Sequence, residues 1–160
     1  MASHLEMARH LLSGESFSTM RKWTLYDASM DAPRPEANRQ PALSVMLAAI
    51  YGLAGDPGYF QAQVFVLAWG LLLLYLFWLY VRRLLGPSAG LLSTLYLAIA
   101  PLFLWYSVQV DSLVPYTCMA LLAVIVVDRA PGGIPGTGRT IALAVICAMA
   151  YMTRTQGMLL

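Results

Sequence analysis

Residues 64–81, Val-Phe-Val-Leu-Ala-Trp-Gly-Leu-Leu-Leu-Leu-Tyr-Leu-Phe-Trp-Leu-Tyr-Val, contain no charge and end against Arg82-Arg83. A helix rises about 1.5 Å per residue, so roughly 20 such residues cross the ~30 Å hydrocarbon core of a bilayer. Paired arginines cannot follow the run into lipid and mark the point where the chain meets water. The chain is therefore expected to be a membrane protein, with its chemistry at the membrane's edge.

Composition agrees and divides the chain unevenly. Of 160 residues, 59% are hydrophobic and 11% charged, with a mean hydropathy of +0.66; soluble domains carry about 25% charged residues. Residues 1–60 hold six acids (Glu6, Glu15, Asp27, Asp31, Glu36, Asp56) and five bases (Arg9, Arg21, Lys22, Arg34, Arg39), whereas residues 61–160 hold two acids (Asp111, Asp128) and five arginines. The expected organisation is a polar segment with interfacial helices over 1–60 and a transmembrane bundle over 61–160. Net charge +2 without a large basic cluster argues against nucleic acid as a partner. Cys118 and Cys147 lie in apolar runs at a spacing that fits no ligand motif, so they read as small hydrophobes, and no metal site or cofactor is expected from the residues.

The predicted fold class is all-α: about four transmembrane helices, an N-terminal interfacial helix and a short half-membrane helix. In residues 4–12, Leu5, Ala8, Leu11 and Leu12 share one face and His4, Glu6, Arg9 and His10 the other, a pattern that suits a helix lying along an interface. Residues 15–41, with Pro33, Pro35 and Pro41, read as an aqueous loop. The apolar stretch 42–55 is too short to span. Crossings are predicted over about 61–81, 88–106, 112–127 and from Thr140 toward Thr153, with connections at 108–111 and 130–138. Arg82, Arg83, Arg129 and Arg139 then share one face, which the excess of arginine in short loops assigns to the cytoplasm. Residues 1–60, the 108–111 connection and Arg154 fall on the other.

Four features on that outer side could carry chemistry, and each has a plainer reading. Glu6, Arg9 and His10 could present a site or simply solvate an anchor helix. Asp111 could face a cavity or cap the following helix. Arg39, in Asn38-Arg39-Gln40-Pro41, and Arg154, in Thr153-Arg154-Thr155, have the planar donors that fork around phosphate oxygens. Either could equally snorkel to lipid headgroups. Asp27 and Asp31 have no supporting context.

The order of motifs is more informative than any one of them. A helix of pattern x-x-Leu-x-x-Ala-Arg-x-Leu-Leu-x-Gly (3–14) precedes Arg39-x-Pro41, which opens a short apolar helix. A long run closes on Arg82-Arg-Leu-Leu-Gly86 and is followed by Ala100-Pro-Leu-Phe-Leu-Trp-Tyr-Ser107, then Asp111, then Thr153-Arg154-x-x-Gly157-x-Leu-Leu160. This resembles the N-terminal half of integral-membrane glycosyltransferases of the GT-C type, the dolichyl- or polyprenyl-phosphate-sugar-dependent mannosyl- and aminoarabinosyltransferase relatives.

The resemblance implies inverting transfer of a sugar from a lipid phosphate to an acceptor on the periplasmic or extracellular face, in a bacterial inner (plasma) membrane. An acid would activate the nucleophile and basic residues would stabilise the departing phosphate. On that pattern Arg39 and Arg154 are the candidate phosphate-binding residues and Asp111 the candidate acid of the outer connection. The family's catalytic Asp would fall at or before Met1, so a truncated portion of a longer enzyme is expected. The implied partners are the bilayer and a polyprenyl-phosphate-linked sugar; relatives differ in metal use. A small non-catalytic multi-span protein (a subunit or scaffold) and a transporter fragment stay open as alternatives.

Overall fold

The computed structural model describes residues 2–14, 18–19, 34–35, 41–54, 58–129 and 136–154. Among these the chain is helical: α1 (Ala2–Leu12), α2 (Ala42–Ala54), α3 (Tyr59–Leu85), α4 (Pro87–Ile99), α5 (Pro101–Val108), α6 (Leu113–Asp128) and α7 (Thr137–Thr153). The one departure is a pair of two-residue strands, β1 (Ser18–Thr19) and β2 (Arg34–Pro35), antiparallel with Ser18 opposite Pro35.

α3 is the organising element. At 27 residues it is the one described helix long and apolar enough to cross a membrane unaided, and only 17% of its most apolar window is buried inside the protein. Its inward stripe is small and regular: Ala62, Val66, Gly70 and Leu73 are buried, at a spacing of three to four residues. Its other faces, and those of α4 and α5, expose large apolar side chains. Leu71 is 60% exposed, Leu92 67% and Leu102 70%. An aqueous protein does not leave so extended an apolar exterior uncovered.

The hairpin between α3 and α4 turns on one residue. Gly86 has φ +91°, a backbone region that L side chains rarely adopt, and its N–H donates to the Arg82 carbonyl at 3.0 Å. Pro87 then opens α4, where its missing N–H costs nothing. The helices separate so slowly that a Cβ on Gly90 would lie 2.9 Å from the Arg82 backbone. Gly90→Ala is accordingly expected to destabilise the protein by about 1–3 kcal/mol through overpacking. Gly138→Ala, with nothing within 4 Å of the added carbon, serves as the reference. Thermal unfolding of both variants in detergent checks this; equal midpoints would refute the close approach.

The stretch expected as the second crossing departs from the sequence expectation. Residues 88–106 were expected as one continuous helix, but the chain breaks at Ala100 and bends by 64° between α4 and α5. The cause is local. Pro101 offers no N–H to the preceding turn and drives Ala100 into an extended conformation (φ −61°, ψ 125°). The bend opens an apolar cavity of about 400 Å³, lined among others by Leu73, Phe77, Leu97, Phe103 and Leu121.

The two ends of the bundle differ. At one, Arg83 of α3 pairs with Asp128 of α6 at 3.4 Å, Arg82 lies 5.1 Å from the centre of the Trp78 ring, and Arg139 of α7 donates to the Arg129 carbonyl. At the other, α1 and α2 pack over the start of α3. Leu5, Ala8, Leu43, Leu47, Tyr51, Ala62 and Val110 form one buried cluster there. The polar face assigned to α1 needs correction: His4 is buried, its Nδ1 3.0 Å from the Ser44 hydroxyl of α2. The buried face of α1 is His4, Leu5, Met7 and Ala8, and Leu12 is exposed.

Candidate functional site

Three local devices build the end of the bundle that α1 and α2 cover. The connection 109–112 is anchored by Val110, 1% exposed, which inserts beneath α1 and α2. On its α3 side, Gln63 Nε2 donates at 3.1 Å to the Val108 carbonyl, one of the acceptors that the end of α5 leaves without a helical partner. The Tyr51 hydroxyl donates to the Gly58 carbonyl at 3.1 Å and ties α2 to the start of α3.

With Val110 pinned inward, Asp111 is directed to the surface. Its Oδ1 accepts the Leu113 N–H at 2.8 Å, which satisfies a free donor at the start of α6. The N-cap of α6 is Ser112, which makes no side-chain cap bond, so Asp111 supplies the acceptor from one residue further out. That bond does not exhaust the carboxylate, because the same oxygen lies 4.0 Å from Arg154 Nη1, 43 residues further along. Arg154 terminates α7, which packs against α6 and approaches α2. Its backbone turns extended there (φ −157°, ψ 137°) while its N–H still donates to the Ala150 carbonyl at 3.0 Å.

The side chains of Arg154 and Asp111 are 34% and 45% exposed. A pair that open to water contributes about 0–1 kcal/mol to stability. Its significance is positional: a guanidinium and an anchored carboxylate stand side by side, partly exposed, at the end of the bundle that α1 and α2 cover.

The other expected site residues fare differently. Arg39, Asp27 and Asp31 lie outside the described residues. Glu6 and His10 are partly buried on α1, and Arg9 is exposed. Among the described residues, no three His, Cys, Asp or Glu side chains converge to hold a metal ion. The sequence reading missed two positioning residues, Gln63 and Tyr51. Gln63 had a usable signal, being a polar residue one turn inside an apolar helix that has to find a backbone partner.

A mainly helical body with an extended apolar exterior and charged groups at its ends suits a membrane. Residues 34–160 match the family model described as dolichyl-phosphate-mannose-protein mannosyltransferase, and the chain belongs to that family. Membership places it among GT-C type glycosyltransferases, which work in membranes with lipid-linked sugars. The match takes in every described helix except α1. No curated protein and no solved structure matches the chain.

Proposed function

We propose that the protein takes part in transferring a sugar from a polyprenyl-phosphate donor to an acceptor on the periplasmic or extracellular side of a bacterial plasma membrane. The observation that carries this reading is the placement of Asp111 and Arg154 side by side at the end opposite Arg82, Arg83, Arg129 and Arg139. Four crossings are proposed: α3, the bent α4–α5 pair, α6 and α7. The arginine-rich end is then cytoplasmic and residues 1–60 lie on the outer side, with α1 and α2 covering that end of the bundle formed by 61–160.

In this reading Arg154 holds the donor phosphate, its planar donors matching phosphate oxygens as negative charge grows on the departing group. Asp111, fixed by the Leu113 N–H, orients the guanidinium. Arg39 is proposed as a second phosphate ligand. The apolar cavity at the α4–α5 bend, whose lining includes Leu113, offers a wall for the donor's isoprenoid chain.

The test is transfer from polyprenyl-phosphate-mannose in proteoliposomes, comparing wild type with Arg39→Ala and Asp111→Ala. Each variant is expected to transfer at least tenfold more slowly, the order of loss when a charged hydrogen bond of roughly 1.5–3 kcal/mol is removed. Equal rates in all three would remove both residues from the site.

A further inference from the structure

The second cleft of note lies at the opposite end from Asp111. It has a volume of about 410 Å³ and opens between α3, α6 and α7. Leu76 and Leu79 of α3 and Leu122 and Val126 of α6 form apolar walls, and Arg129 and Arg139 stand at its rim. We propose that this cleft binds an anionic phospholipid, with the headgroup phosphate between Arg129 and Arg139 and the upper acyl chain against the leucines.

Charge and shape both support this occupant. Four arginines, Arg82, Arg83, Arg129 and Arg139, crowd this end of the bundle, and the neighbouring Asp128 carboxylate is engaged by Arg83 at 3.4 Å. The local balance favours an anion. Arg82 is stacked against Trp78 at 5.1 Å and faces α3 itself, which leaves Arg129 and Arg139 as the pair that borders the cleft. Arg139 donates to the Arg129 backbone carbonyl, which ties its guanidinium to the end of α6, and both residues line the cleft. The cationic groups sit at one end of the cleft and the remaining named walls are hydrocarbon, the polarity of a phospholipid seen from its headgroup. A soluble polyanion would leave those walls unused, and a further apolar helix would bring no negative charge to the rim. Basic pockets between membrane helices on the cytoplasmic side bind acidic headgroups for this reason.

The experiment is native mass spectrometry of the full chain released from phosphatidylcholine vesicles containing a minor fraction of phosphatidylglycerol. Phosphatidylglycerol is expected to be retained in preference to phosphatidylcholine. Arg129→Gln with Arg139→Gln should reduce that preference roughly thirtyfold, about fivefold per arginine. Arg9→Gln, on α1 at the other end, should leave it unchanged. Ala142→Phe, which fills the cleft from α7 without altering charge, should lower retention of either lipid and remains informative if the double variant fails to fold. The proposal is overturned if phosphatidylglycerol is not preferred by the wild type, if the double variant keeps the preference, or if Ala142→Phe retains lipid fully.

Discussion

Replacing Arg154 by Ala is expected to lower the turnover of sugar transfer by roughly 10²–10³-fold, the usual cost of deleting one donor aimed at charge that develops in a transition state. The loss should fall on kcat more than on KM, because the phosphate gains charge as the glycosidic bond breaks and the guanidinium meets that charge most strongly there. Arg154→Lys keeps the charge but not the fork and should recover only part of the rate. Asp111→Asn separates two roles of the carboxylate. An Asn oxygen can still accept the Leu113 N–H, now 2.8 Å from Asp111 Oδ1, but it no longer attracts the guanidinium. A smaller loss than for Arg154→Ala would mark Asp111 as a positioning residue. If Arg154→Ala stayed within twofold of wild type, the phosphate assignment would fail.

The second large effect is expected on stability, at Leu47. This side chain is fully buried in the cluster that joins α1, α2, the start of α3 and Val110. Leu47→Ala should cost about 2–5 kcal/mol, combining lost burial with the cavity left behind. Six residues further along the same helix, Leu53 is 89% exposed, and Leu53→Ala should stay within about 0.5 kcal/mol. Thermal unfolding of the two variants in detergent makes the comparison. Because Val110 belongs to the cluster and adjoins Asp111, Leu47→Ala should also slow transfer without touching a site residue. Similar midpoints for the two variants would mean that α1 and α2 do not form a packed cover.

How much of this could be read from residues alone depended on how local each cause was. α3 was legible because its apolar run and the terminal Arg82-Arg83 act within one helix. The Gly86-Pro87 turn is local in the same way, since both residues constrain the backbone on their own. The break at Ala100 was not legible, because membrane helices tolerate proline either by kinking or by bending little, and neighbouring contacts decide which. His4 was placed on the wrong face for a related reason. A histidine at an interface reads as solvated until its partner is known, and Ser44 lies 40 residues away. The i, i+3, i+4 spacing of His4, Met7 and Ala8 was nonetheless present as a signal. For Asp111 and Arg154, crossing direction could place both at one end, but a 4.0 Å approach depends on how α6 and α7 are rotated against each other.

The 64° bend has a consequence for the lipid around the protein. α4 has 13 residues and α5 eight, lengths of about 20 Å and 12 Å. If α4 stands upright, α5 adds only about 5 Å of depth, and the two together reach about 25 Å through a slab of about 30 Å. α5 then reclines near the membrane surface on the Asp111 side, with Trp105 and Tyr106 at headgroup level. Hydrophobic mismatch of this size draws the leaflet inward. On this flank the membrane is expected to pinch, which shortens the distance a lipid-borne phosphate has to travel to reach protein.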